Sequence, residues 1–436
     1  MHGAASCQRH APAGLRHRDR AHTIPRLADN GRVNDLASLA PLLTDDGQAL
    51  LAALRDHDPA QELAVATRLR RDHPAELVSA ALSQARLRQR AVAKFGADDA
   101  YRMYFTPHGV EQSTRRTVAE YRARRFRGIG PDEVNDLCCG IGGDAVALVR
   151  AGFTVRAVDR DPLTAETALL NVRTLVGDTA PMTVTCADVM EYDLSGSTSV
   201  FIDPARRGSG PGRARGGRIF DPEAYSPPLS WAIEAVRRVG TGAIKIAPGI
   251  PHELVPDDFE AEWISDGGDV KEAVLWHDAG RTGTVTPGAR RATLLPSAAT
   301  LTGRGLPDPE VREPGRYLYE PDGAVIRSHL VAEVAEDLDG GLVDRTIAYV
   351  TSDELRPTPY ATAYEITDEL PFNLKRLKAL LREREVGTLT VKKRGSAVEP
   401  EELRRKVKPS GPNAATVFLT RVAGAPTVLI GRPADI

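Results

Sequence analysis

The sequence predicts an α/β protein built on a doubly wound parallel sheet with a closing antiparallel hairpin. A helical N-terminal domain and a small α+β C-terminal domain flank it. Three observations carry that expectation. Between residues 131 and 280, short apolar runs alternate with helix-length segments, the spacing that parallel strands need for their crossovers. The first run, at 134–139, leads into a glycine turn that opens a helix. Asp136, Asp159 and Asp203 each stand toward the carboxyl end of a separate run, the rim at which such sheets bind ligands.

The bulk numbers set the frame. At 436 residues, two or three domains are expected. Hydrophobic residues at 42% and charged residues at 27% are ordinary for a globular chain, and the formal charge of −2 leaves any nucleic-acid affinity to local patches. Cys7, Cys138, Cys139 and Cys186 make neither a disulfide framework nor a CxxC metal pair, so no metal site is expected. No apolar run is long enough for a membrane span, and the opening residues lack the apolar core of a secretory signal. The expected compartment is the cytoplasm.

Taken in order, residues 1–34 are polar, basic and aperiodic and read as a disordered tail. His2, His10, His17, His22, His57 and His73 are irregularly spaced and read as solvated side chains. Residues 35–100 repeat Leu and Ala at intervals of three and four, with Pro59 and Pro74 as breakers, and predict a helical domain. Within 101–280 the pattern gives strands at 134–139, 154–159, 182–186, 199–203 and 242–247. Helices are expected at 144–151, 162–176 and 229–239, and a hairpin at 262–265 and 272–277 around Gly267-Gly268. Residues 281–360 read as a Pro- and Gly-rich connector with β elements, such as 292–295. A last unit at 361–436 holds helices at 374–384 and 400–407 and strands at 388–392, 415–422 and 427–430.

The turn Asp136-Leu-Cys-Cys-Gly-Ile-Gly-Gly-Asp144 admits two cofactors. Gly140-Ile141-Gly142 matches the first part of a dinucleotide fingerprint, with Ala145 in place of the third glycine. Asp136, Cys138, Gly140 and Gly142 also match an acid followed by small residues at every second position, the register of an S-adenosylmethionine site. Charge favours the second. A doubly anionic pyrophosphate is repelled by Asp136 and Asp144 bracketing the turn, whereas a sulfonium and an ammonium are attracted. A phosphate loop is excluded because no Gly-Lys-Ser/Thr follows. Asp159, with Arg160 beside it, ends the next strand as a candidate acceptor for ribose hydroxyls, and Asp188 is the candidate acceptor for the adenine amino group.

Asp203-Pro204-Ala205-Arg206 follows the fourth strand, where a methyl group would point. A carboxylate there can accept a hydrogen bond from a nucleophilic amine or take its proton, and Pro204 stiffens the turn. Pyrimidine C5 methylation needs a cysteine nucleophile, and no cysteine follows Cys186. Cys138, Cys139 and Cys186 read instead as small packing residues, and transfer to nitrogen is expected.

These residues resemble the class I S-adenosylmethionine-dependent methyltransferases, which implies a Rossmann-like methyltransferase sheet and S-adenosyl-L-methionine as cofactor. Residues 136–144 with Ala157-Val-Asp-Arg-Asp-Pro162 are similar to the RNA cap guanine-N2 (trimethylguanosine synthase-type) enzymes. Tyr104-Phe105-Thr106-Pro107 resembles that group's lead-in segment, which folds over the cofactor. The cap enzymes carry a Pro-Pro-aromatic turn, and the present Asp203-Pro204-Ala205-Arg206 lacks the aromatic. Phe105-Thr106, Glu111-Gln-Ser-Thr114, Phe201-Ile-Asp-Pro-Ala-Arg206 and Leu389-Thr-Val-Lys-Lys-Arg394 are similar to a bacterial family that adds a C-terminal THUMP-like domain. That likeness implies an RNA substrate, tRNA or rRNA, with Phe105 and Gln112 as lid contacts; Arg206, next to the Asp203-Pro204 turn, is the candidate for orienting substrate.

Two cationic stretches bear on RNA. Arg206, Arg207, Arg213, Arg215 and Arg218 lie among glycines past the Asp203 turn, either as a phosphate clamp or as a solvated loop. Lys375, Arg376, Lys378, Lys392, Lys393, Arg394, Arg404, Arg405, Lys406 and Lys408 crowd the C-terminal unit, with 392–394 closing a strand as a candidate phosphate-facing cluster. The aromatic content of 5% gives no obvious base-stacking sheet. The expectation is an RNA methyltransferase. The alternatives are methylation of a protein or small molecule, and a non-catalytic RNA-binding protein.

Overall fold

The structure is a computed structural model that describes residues 39–206, 221–280 and 282–434. The tail at 1–34, and Arg207, Arg213, Arg215 and Arg218 of the cationic loop, lie outside the described residues. Thr44 accepts the Gly47 amide at 3.1 Å and caps α1 (Asp45–Ala53). The two prolines precede α2 (Glu62–Leu69) and α3 (Ala75–Ala100), and Leu50, Leu51 and Leu54 pack on Leu77, Val78 and Ala81. The far half of α3 has a second task. Leu87, Ala91 and Phe95 pack with Met103, Phe105, Val110 and Ile141, the last within the glycine turn. Sequence periodicity showed a helix here but not that it buttresses the turn.

After α4 (Pro107–Gln112) and α5 (Arg116–Ile129), the chain enters the sheet through β1 (Glu133–Leu137), α6 (Gly143–Arg150), β2 (Thr154–Asp159) and α7 (Pro162–Val176). It continues through β3 (Met182–Cys186), β4 (Val200–Ile202), α8 (Leu229–Val239) and β5 (Thr241–Ile246). β1 lies parallel between β2 and β4, β3 pairs with β2, and β5 pairs with β4. β6 (Glu260–Asp266) and β7 (Asp269–Asp278) form the expected hairpin. Gly267 and Gly268 have φ of 64° and 84°, as a type I′ turn demands. β7 inserts between β5 and β6, antiparallel to both.

The segment read as a connector is divided between two sheets. β8 (Arg290–Leu295) and β9 (Ala299–Thr302) extend the first to β3-β2-β1-β4-β5-β7-β6-β8-β9. β10 (Tyr317–Pro321), β11 (Gly341–Asp344) and β12 (Ile347–Ser352) join β13 (Ala361–Pro371), β14 (Val386–Lys393), β15 (Asn413–Val422) and β16 (Ala425–Pro433) in a seven-stranded sheet. Between these strands lie α9 (Gly323–Arg327), α10 (Val331–Asp337), α11 (Leu374–Glu383) and α12 (Pro400–Val407). Pairing satisfies backbone groups that a long coil would leave to water. The two sheets also share one core: Phe259, Trp263 and Leu275 cluster with Tyr317, Tyr319, Val325, Val334 and Val350.

The helical region is tied to the sheet by Asp99. Arg150 grips both its oxygens at 2.7 and 2.8 Å, and Arg116 stands 3.6 Å away. The Arg150 hydrogen bonds hold the Asp99 carboxyl below its ordinary value. A lowered folded pKa adds stability that is fully present above about pH 4, the value of the free carboxyl, and is lost as pH falls through the lower folded value. Asp99→Asn should therefore lower unfolding free energy by about 1–2 kcal/mol at pH 7. In urea titrations at successive pH values, the gap to the parent should close below pH 4; a gap of constant size would contradict this account.

Candidate active site

The glycine turn is shaped by left-handed backbone. Cys138, Gly140 and Gly142 have φ of 64°, 57° and 83°, and at Cys138 a side chain is held in a region that costs on the order of 1 kcal/mol. The Cys139 amide donates to Val158 O at 3.1 Å and the Gly142 amide to Cys139 O at 3.0 Å. At Gly142 a Cβ would come within 3.0 Å of the Ala168 backbone, so α7 lies directly against the turn. At Gly140 a Cβ would meet nothing within 4 Å; its backbone faces open space. Asn171, wholly buried on α7, locks the turn to the lead-in segment. Its Oδ1 accepts the Tyr104 amide at 2.7 Å, and its Nδ2 donates to Tyr104 O and Ile141 O, both at 2.9 Å.

Asp159 caps the turn from β2, with Oδ2 accepting the Gly140 amide and Oδ1 the Asp161 amide, both at 3.0 Å. Burial raises its carboxyl, and these two bonds oppose the rise. Asp136 is buried more severely. It is 1% exposed, and neither carboxylate oxygen has a hydrogen-bond partner. Burial pushes it well above the ordinary carboxylate range, and the charges of Asp144 and Asp203 add to the push. The Asp203 amide donates to Leu137 O at 3.2 Å, which sets the Asp203 turn beside the end of β1.

Several expectations are corrected. Asp144 does not bracket the turn as a free charge: it is buried and paired with Arg122, which also pairs with Glu272 and lies 4.4 Å over the Phe201 ring. Of the two acids set against a pyrophosphate, only Asp136 remains uncompensated. Phe105 is 1% exposed and packs on Phe95 with ring centroids 5.6 Å apart, so it supports the turn from behind rather than covering a ligand. Gln112 is exposed at the end of α4. Cys139 is buried, but Cys186 is exposed on β3 and does not pack as a core residue. Burial and then the Asp159 charge raise the Cys138 thiol well above its usual value, which disfavours the thiolate.

Asp188 is exposed, with Oδ1 accepting the Met190 amide at 2.9 Å, and the Met190 side chain is 51% exposed beside it. Arg160 is exposed and donates to Ser226 Oγ at 3.2 Å. Pro204 is buried, and Ala205 exchanges two backbone bonds with Ser226, at 2.9 and 3.1 Å. Arg206 is half-buried. The sequence reading missed Lys245. This residue of β5 is 5% exposed, with Nζ 2.6 Å from Asp203 Oδ2 and 3.0 Å from Thr114 Oγ1. A single lysine inside the apolar run Gly242-Ala-Ile-Lys-Ile-Ala247 was the available signal. In the C-terminal unit each cation of the 392–394 cluster has a carboxylate beside it, so none is held for phosphate alone. Lys392 pairs with Glu320, Lys393 with Glu399 at 2.6 Å, and Arg394 lies 3.6 Å from Glu320.

The rim thus holds more buried carboxylate than cation, with an open glycine backbone and an unbonded acid. An anionic cofactor would deepen that imbalance, and a cationic one relieves it. The residues fit S-adenosylmethionine. Among the described residues no group of three His, Cys, Asp or Glu is placed to hold a metal, and no helix is long and apolar enough to cross a membrane.

Comparison with known proteins agrees with this chemistry. A THUMP domain-like family model matches residues 361–433, and a domain of unknown function (DUF8688) matches 35–91. Proteins named uncharacterized S-adenosylmethionine-dependent methyltransferases, from two strains of Mycobacterium tuberculosis, are 33% identical over 344 residues, covering 77% of this chain and 90% of theirs. The crystal structure of a Porphyromonas gingivalis W83 protein assigned to the methyltransferases superposes with a TM-score of 0.72 at 20% identity. It covers 92% of this chain and 99% of that one, a likeness of fold. The similarity to cap enzymes rests on motif residues alone. By these sequence relatives the chain belongs to the S-adenosylmethionine-dependent methyltransferases.

Proposed function

We propose that this methyltransferase modifies a base nitrogen of RNA, tRNA or rRNA. The observation that carries the reading is the Asp203-Pro204 turn beside the unbonded Asp136, in a chain that ends in a THUMP-like domain. Asp136 faces the cationic end of the cofactor, Asp159 accepts ribose hydroxyls with its remaining lone pairs, and Asp188 and Met190 flank the adenine. The bound cofactor supplies an electrophilic methyl carbon on a sulfonium. Asp203 accepts a hydrogen bond from the substrate amine, aims its lone pair and takes up the proton released on transfer. Direct displacement at the methyl carbon by an amine nitrogen needs no covalent enzyme intermediate.

Lys375, Arg376 and Arg382 on α11 and Arg405 on α12 are exposed, and the two helices meet where Lys378 Nζ donates to Lys406 O at 3.4 Å. This face suits an RNA backbone. The pairing of Lys392 with Glu320 and of Lys393 with Glu399 is the observation that favours the rival, a protein or small-molecule substrate.

Mass spectrometry of nucleosides from cells with and without the protein should show one methylated base lost on deletion. Unchanged nucleosides, with methyl incorporation into extract that survives RNase, would favour the rival. Lys375→Glu/Arg376→Glu/Arg382→Glu should weaken RNA binding at least tenfold and flatten its salt dependence, leaving cofactor affinity intact. A carboxyl whose folded pKa is raised costs stability as pH climbs past about 4. Asp136→Asn should therefore stabilise the cofactor-free protein by about 1 kcal/mol or more at pH 8, with the gain vanishing near pH 4. The same change should weaken cofactor binding about tenfold or more by calorimetry; undiminished affinity would remove Asp136 from the site.

A further inference from the structure

We infer that Lys245 is a positioning residue of the transfer site: it fixes the orientation of the Asp203 carboxylate and couples that carboxylate to the lead-in segment through Thr114. The inference rests on the reading of Asp203 as the acceptor for the substrate amine.

The argument begins with register. β4 and β5 run parallel with Ile202 opposite Ile244, so the next pair outward is Asp203 and Lys245, side by side on one face of the sheet. Lys245 is the cation among buried Ala243, Ile244 and Ile246, where an ammonium loses several kcal/mol of hydration. It recovers this through two bonds at the sheet's rim. One, at 2.6 Å, occupies Asp203 Oδ2; no protein donor among the described residues bonds Oδ1, and the side chain is 22% exposed. One oxygen is thus held inside, and the other is turned to the open side, where a substrate N–H can reach it.

The second bond, at 3.0 Å, goes to Thr114, buried in the loop between α4 and α5. That loop continues the segment in which a Cβ on Gly109 would come within 2.6 Å of Ile141 in the glycine turn. A single ammonium therefore joins the segment beside the turn to the carboxylate beside the reacting nitrogen. Without it, Asp203 would stand beside buried Asp136 while the Arg122 guanidinium is already shared between Asp144 and Glu272. A carboxylate released from that ammonium is free to turn toward solvent, and its acceptor geometry is lost.

The test uses the full-length protein, S-adenosylmethionine with a tritiated methyl group, and total RNA from cells lacking the protein as acceptor. Cofactor binding is followed by calorimetry. Lys245→Met should lower kcat at least tenfold while the cofactor Kd stays within about threefold, and Lys245→Arg should restore most of the loss. Thr114→Val should lower kcat several-fold with the same unchanged Kd. In an Asp203→Asn background, Lys245→Met should cause no further loss, because the carboxylate through which it acts is gone. Full activity of Lys245→Met, or a loss that multiplies with Asp203→Asn, overturns the inference and leaves the Asp203 reading standing. Full activity of Asp203→Asn overturns both. Should Lys245→Met fail to bind cofactor, the Thr114→Val variant decides, and unaltered kcat there overturns the coupling.

Discussion

Between α5 and one face of the nine-stranded sheet lies a layer of buried charge that fixes the geometry of the site. Arg122 reaches Asp144 and Glu272, Arg125 reaches Glu260 and Glu262, and Lys245 reaches Asp203. The two guanidinium groups also lie over the rings of Phe201 and Trp276, each at 4.4 Å. Burying so many ions is costly, and removing one partner of such a pair is costlier still. The layer therefore admits few alternative arrangements, and it presses α5 and α6 onto the sheet in one register. Asp136 lies on the same face without a countercharge, so the unfilled electrostatic demand of the protein is concentrated at the rim beside the glycine turn.

The turn is defended from the opposite side by apolar contact. Phe95 and Phe105 pack behind Ile141, and the Asn171 amide satisfies backbone groups on both the lead-in segment and the turn. The strain at Cys138 is tolerated because its neighbours are held by α7, Val158 and Asp159. The N-terminal helices thus help to hold the glycine turn, by apolar packing and through Gln84 of α3, which exchanges two hydrogen bonds with the Phe105 backbone.

The seven-stranded sheet is joined to the nine-stranded one by shared core, through the segment that precedes the C-terminal unit. α9 approaches β7 closely enough that a Cβ on Gly323 would stand 2.6 Å from Val270, and Tyr317 and Tyr319 belong to the same cluster as Trp263.

The catalytic sheet was legible in the sequence because its signals are local. Apolar runs, crossover helices, Gly267-Gly268 and the acids ending β2 and β4 each follow from a few neighbouring residues. β10 to β13 were not read, since their runs are short or interrupted by polar residues and are stabilised by partners distant in the chain. The same distinction governs the site. Sequence alone placed Asp136, Asp159 and Asp203 at strand ends, because strand and turn preferences are set within a few residues. Only the folded chain could decide that Asp144 is neutralised by Arg122, that Phe105 faces inward, and that Lys245 lies beside Asp203. Charge pairing and burial depend on which segments meet, and that is set by packing across the whole sheet rather than by any stretch of residues.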